Sequence, residues 1–320
     1  MSSPKKYTGF AIALAWPQTY CKQPGSWYDP LTLWLGINKN NYYRIGHAAI
    51  VLVDIENKKC FYFDFGRYHT PFQYGRVRSV ETDFDLEIKT TPVISADKKS
   101  IINFREIISE LQHNTACHGE GKIYASYCFI NFLSAFNKAL QMQQASTIRY
   151  GPFQYKGSNC SRFVNTVILA GKPRLKSIFR LKYFVPLTPT PLNNVKSLDR
   201  SLILPDLVNV VPLPAVQKLN KKFIKKTLKQ PARNPIIPAN AQWLGGEGVG
   251  SWFGFKFDKS LLKVTRYSPE GVIECFGLFK NSTGENVIYD QKFQVTYPSN
   301  CKVITLTQAN RNLMFMRASI

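Results

Sequence analysis

The sequence predicts an α+β domain over residues 1–185, an antiparallel sheet packed on helices, then a basic connector over 186–240 and a small all-β domain over 241–320. Three observations predict it. Apolar, β-branched runs separated by polar turns dominate the first hundred residues. Helical periodicity follows them, and after Ala241 short alternating runs are punctuated by glycine.

Taken in order, Gly9–Trp16 is an apolar run too short to span a membrane and without a small-residue cleavage site, so it reads as a core strand. Residues 17–41 carry Pro17, Pro24, Gly25 and Pro30 among aromatics and read as a long loop with one helical turn. His47–Asp54 and Lys59–Phe65 flank the polar turn Glu56-Asn57-Lys58 and form a β-hairpin, which sets residue 49 opposite Asp64. A further strand is expected within residues 75–90. Helical spacing covers Lys98–His113 and Lys122–Gln144, and Gly157-Ser158-Asn159 caps a third helix, Cys160–Ala170, closed by Gly171 and Pro173.

Between Gly171 and Asn240 the composition shifts: ten of the nineteen prolines fall there, with fourteen Lys and Arg against Asp199 and Asp206. This segment reads as a connector carrying one amphipathic helix, Pro214–Lys229. The strands expected beyond it are Trp252–Phe257, Leu261–Tyr267, Val272–Phe279, Asn286–Phe293 and Lys302–Leu306.

A net charge of +22 draws the chain to polyanions, whether an acidic polymer, an anionic membrane or the cell wall, with the connector as the contact. No base-reading motif accompanies the charge, which argues against sequence-specific DNA binding. Seven scattered cysteines suit folding in a reducing, cytoplasmic compartment, and leaderless export would leave the same sequence. His113, Cys117 and His118 have metal-like spacing, but Asn114–Gly121 reads as the end of the helix, so neither a metal nor a cofactor is expected. His69, before Thr70-Pro71, reads as a turn residue.

The chemistry concentrates on Cys160. A helix N-terminus and a nearby imidazole both lower a thiol pKa, and local sequence supplies the first. Of four histidines, His47 stands out: Gly46 precedes it and a strongly apolar strand follows. The hairpin register brings Asp64 within reach as a residue to orient the imidazole.

These residues carry a resemblance. Gly46-His47-Ala48-Ala49-Ile50-Val51-Leu52, Tyr62-Phe63-Asp64-Phe65-Gly66 and Ser158-Asn159-Cys160-Ser161-Arg162-Phe163-Val164 resemble the circularly permuted papain-like proteins, which include the lecithin:retinol acyltransferase-like and NlpC-type branches. The resemblance covers residues 7–175. It implies a permuted papain-like domain with Cys160 as nucleophile, His47 as general base and acid, and Asp64 as the third member. It also implies an oxyanion site made by the Cys160 N–H and a donor among Trp16, Gln18 and Tyr20. Asp64 stands where the acyltransferase branch carries a second histidine, and Ser161-Arg162 replaces its Glu-His, which turns the reading toward an amidase or peptidase. The expected substrate is then a peptide or acyl group, with cell-wall peptide foremost. The alternatives are a non-catalytic polyanion- or partner-binding protein on the same scaffold, and a membrane-surface acyltransferase.

Overall fold

The computed structural model describes residues 7–318 apart from 24–25, 27, 35, 37, 40–41, 44, 206–225, 259–260, 285–286 and 289–290. It is mixed α+β, with a sheet over helices in its first part and a separate all-β domain at its C-terminal end.

The first part opens with β1 (Gly9–Trp16), β2 (Cys21–Lys22), α1 (Asp29–Trp34), β3 (Asn38–Lys39) and β4 (Tyr42–Tyr43). The expected hairpin follows as β5 (His47–Asp54) and β6 (Lys59–Gly66), then β7 (Tyr74–Arg78), α2 (Phe104–His113), β8 (Ile123–Ile130), α3 (Phe132–Gln144) and β9 (Ile148–Arg149). Next come α4 (Cys160–Ala170), α5 (Leu175–Tyr183), α6 (Pro191–Lys196) and β10 (Arg200–Leu204). Seven strands make one sheet in the order β10-β8-β1-β5-β6-β7-β9, while β2, β4 and β3 form a separate small sheet.

Helices cover both faces of the large sheet, which explains why β1 and β5 are apolar at nearly every position and not at alternate ones. Ala11, Ala13, Ala48, Ile50 and Phe65 pack with Ala135, Phe163, Val167 and Ile168 of α3 and α4. On the opposite face Phe10, Ile12, Leu14, Val51 and Tyr62 pack with Ile107, Ile108 and Leu111 of α2. At about 25 cal/mol per Å² of apolar surface, each fully buried aromatic or aliphatic side chain contributes roughly 2 kcal/mol.

Two expectations give way here. Residues 122–144 are not one helix: Ile123–Ile130 is a strand between β1 and β10, and only then does Asn131 cap α3 by accepting from the Ser134 N–H at 2.9 Å. The run Ile-Tyr-Ala-Ser-Tyr-Cys-Phe-Ile is rich in β-branched and aromatic residues, and a strand buried on both faces shows no period of two. The connector also begins later than residue 186. Thr190 caps α6 with Pro191 in its first turn, a position where proline's missing N–H costs nothing, and β10 then pairs with β8. Proline density there marks a helix start. The expected helix at Pro214–Lys229 falls mostly outside the described residues, and Leu228 and Lys229 are in no helix.

The second domain is one antiparallel sheet, in the order β11 (Gln242–Gly245), β12 (Gly250–Asp258), β13 (Leu261–Tyr267), β14 (Ile273–Asn281), β17 (Arg311–Arg317), β16 (Val303–Gln308), β15 (Gln294–Thr296). Four of the expected strands match β12, β13, β14 and β16. The run expected at 286–293 does not: the strand there is β15, three residues long and beginning at Gln294. Phe253, Leu262, Phe279, Leu306 and Phe315 form its core.

Charged groups join the domains. Glu247, almost fully buried, accepts from Arg67 Nη1 at 2.6 Å with one oxygen and from the Gln73 N–H at 2.7 Å with the other. Asp83 lies between Arg76, at 2.7 and 2.8 Å, and Arg266 of the second domain, at 3.2 Å. His69 is more than a turn residue: its Nε2 lies 2.8 Å from Ser251 Oγ in the same joint.

Candidate active site

Cys160 is the first residue of α4. Asn159 is the cap, its side chain accepting from the Arg162 N–H at 2.8 Å, so the thiol sits at the positive end of an eleven-residue helix. Arg162 reaches back to the carbonyls of Gly151, Pro152 and Gln154 at 3.1–3.3 Å and fixes the loop that leads into the cap.

His47 begins β5. Gly46 brings the chain there with φ +78°, and a Cβ on it would lie 2.7 Å from the Trp16 carbonyl oxygen, so no other residue fits the turn. In the hairpin Ala49 pairs with Asp64, the expected register, which puts His47 and Asp64 on one face of the sheet. His47 Nε2 and Asp64 Oδ2 are 3.5 Å apart, a charge contact longer than a tight hydrogen bond. The imidazole is also close enough to the Cys160 thiol for each to shift the other's pKa. The three residues that sequence reasoning grouped therefore lie together.

Asp64 is held in turn. Arg78 donates to it twice, Nε to Oδ1 at 2.9 Å and Nη2 to Oδ2 at 2.5 Å, and the Tyr62 hydroxyl donates at 3.2 Å. Arg78 itself lies flat over the Tyr68 ring, 3.7 Å from its centroid, and donates to the Ala116 carbonyl. Nothing in the motif pointed to Arg78. The available signal was a run with Arg76 and Arg78 at alternate positions, on a strand too short to face water.

These surroundings set the protonation states. Burial would raise the Asp64 carboxyl, but Arg78 and then His47 hold it well below the usual carboxylate range. Burial would lower His47, yet the nearby Asp64 carboxylate and Cys160 thiol outweigh it and raise the imidazole to about 9. Burial would likewise raise the Cys160 thiol, and His47, helped by the Ala48 N–H and Ser161, brings it below its ordinary value. Both shifts favour the thiolate–imidazolium form of the pair over the neutral one. Cys21, by contrast, is partly covered by area yet set deep among neighbouring atoms, and desolvation pushes its thiol up to about 12. Cys160 and His47 are 5% and 6% exposed.

The three oxyanion candidates at the exit of β1 have separate placements. Trp16 is buried with its ring stacked on His47, centroids 5.8 Å apart, and so orients the imidazole. Gln18 Oε1 accepts from the Lys122 N–H at 2.7 Å. The Tyr20 backbone lies near the Glu120 carboxyl and partly offsets the rise that burial causes there. Residues at His113, Cys117 and His118 do not converge: His113 Nδ1 meets the Ser109 carbonyl, Cys117 is buried, and His118 stacks on Tyr68. Among the described residues no group of three metal-ligating side chains lies together.

A cysteine at a helix N-terminus, facing a histidine on a strand of an antiparallel sheet with a carboxylate behind it, is the arrangement of papain-like thiol hydrolases. Within that class the chain belongs to the TseH-like family of type VI secretion system effectors, whose model matches residues 11–177. Residues 241–318 match a second family model, described as the DUF6695 C-terminal domain. A solved structure of the type VI secretion system effector TseH aligns at 16% identity over 63% of this chain and 95% of that one, with a TM-score of 0.41. No curated protein matches the chain.

Proposed function

We propose that the chain is a cysteine amidase or peptidase whose substrate is a peptide of the bacterial cell wall, delivered as an effector of a type VI secretion system. The observation that carries this reading is the Cys160 thiol, lowered beside His47 at the start of α4, with Asp64 fixed behind the imidazole. In the proposed reaction the Cys160 thiolate attacks the amide carbon. His47 gives its proton to the leaving amine as the C–N bond breaks, and a thioester remains on Cys160. Water, deprotonated by His47, then releases the acid and restores the thiol. The oxyanion is met by the Cys160 N–H and, in this reading, by Gln18, whose carboxamide oxygen is already anchored and whose nitrogen is the donor end. The family resemblance supports the hydrolase class, and the net charge of +22 supports an acidic polymer as substrate.

The test is release of new amino termini from purified cell-wall sacculi. Wild type is expected to release them, and Cys160→Ala to lower the rate by at least about a thousandfold. Full activity in Cys160→Ala refutes the mechanism, and no release by wild type on sacculi or their muropeptides refutes the substrate.

A further inference from the structure

α5 carries two apolar stripes where a surface helix ordinarily carries one. Ser177 and Leu181 face inward and are buried, and α5 is tied to α4 by the Asn165 side chain donating to the Leu181 carbonyl at 3.0 Å. Leu175, Phe179 and Tyr183, at steps of four and turned about 200° from that inward stripe, face solvent. They are 82%, 54% and 70% exposed, and the turn beyond the helix continues the stripe with Phe184 at 66% and Leu187 at 93%. The three aromatic rings touch one another, with centroids 5.2 and 5.6 Å from Phe179 to Tyr183 and Phe184. Lys172, Arg174, Lys176, Arg180 and Lys182 flank the stripe, and no Asp or Glu occurs between residues 172 and 187.

We propose that α5 and the turn after it form a docking face for an anionic phospholipid bilayer. Exposed aromatic and leucine side chains in water are unfavourable, and they insert at the boundary between headgroups and acyl chains. These cations make no ion pair among the described residues and match a surface of anionic headgroups over a Debye length. A soluble acidic polymer satisfies the cations but offers nothing for five exposed apolar side chains, so the bilayer accounts for both halves of the face. Among the described residues no helix is long and apolar enough to cross a membrane, and the face requires none: it lies on the surface. The inference rests on exposure and charge in α5 alone and stands apart from the thiol chemistry at Cys160.

The experiment is co-sedimentation of the full chain with vesicles of phosphatidylcholine, with and without phosphatidylglycerol. Wild type, Phe179→Ser/Tyr183→Ser and Lys176→Ala/Lys182→Ala are compared, with retention on a heparin column run in parallel. All four positions are exposed, and unchanged thermal unfolding certifies the variants. Binding only to phosphatidylglycerol vesicles, weakened about tenfold or more in both double variants, is the expected result. The serine variant is expected to keep wild-type heparin retention. Absence of vesicle binding overturns the proposal. Vesicle binding that the serine variant retains in full also overturns it, and identifies the face as a general polyanion surface.

Discussion

Replacing Asp64 with Asn tests whether the carboxylate activates the thiol or merely fills space. His47 rises from 6.5 to about 9 through its contacts with Asp64 and Cys160, a difference of about 3 kcal/mol at 1.36 kcal/mol per pKa step. If Asp64 supplies about half of this, Asp64→Asn lowers the ratio of the thiolate–imidazolium pair to the neutral pair about tenfold. The rate of Cys160 alkylation by iodoacetamide at pH 6–7, with sites read by mass spectrometry, is expected to fall by a factor of up to about ten. The same substitution leaves the buried Arg78 guanidinium without its bidentate partner, at a cost of about 3–5 kcal/mol in stability. The two effects separate in Asp64→Asn/Arg78→Met, which removes both charges: stability recovers most of the loss, while alkylation stays slow. Wild-type alkylation kinetics in Asp64→Asn would refute the relay, as would recovery of alkylation along with stability in the double variant.

Two further predictions concern stability. Glu247→Ala strands Arg67 in the domain joint and is expected to cost about 3–5 kcal/mol, read from denaturant unfolding, whereas Lys302→Ala, in an exposed pair with Glu81, is expected to cost less than about 1 kcal/mol. The His118 ring is exposed by surface area yet crowded by neighbouring protein, and desolvation first, then Arg78, lowers it from 6.5 to about 3. Its folded value lies below its unfolded one, so its contribution is complete above pH 6.5 and is lost as pH falls from there toward 3. His47 has the opposite sign, contributing fully below pH 6.5 and losing that contribution as pH rises toward 9. The unfolding free energy is therefore expected to peak near pH 6.5. His118→Asn should flatten the limb between pH 6.5 and 3, by less than about 1 kcal/mol in total because solvent screens the exposed ring, and an unchanged limb would contradict the assignment.

The grouping of Cys160, His47 and Asp64 was legible because each member left a local mark. Gly46 before His47, the polar turn that fixes the hairpin register, and Asn159 before Cys160 are short-range signals, and the structure places their residues together. Arg78 and Glu247 left no such mark, since a buried charge is defined by its partner, and those partners are 14 and 180 residues away in Asp64 and Arg67. The strand at Ile123–Ile130 was hidden for a related reason: burial on both faces removes the alternation by which strands are read. Proline-rich residues 186–204 looked like linker because proline before a helix and proline in a tether have the same composition and differ only in position.

The polar joint between the domains has a consequence for how such a chain can be assembled from parts. Arg67 meets Glu247 with one arm, donates to the Lys22 carbonyl at 2.5 Å with another, and lies over the Tyr150 ring at 4.9 Å. Asp83 is shared in the same way between Arg76 and Arg266. Arg67 and Arg266 are each matched to a particular carboxylate on the other side of the boundary, so a foreign second domain grafted after residue 240 would have to bring its own counterparts to Glu247 and Arg266. The two halves therefore work as a matched set, and a chimaera keeps this joint only where both ends of these charge pairs travel together.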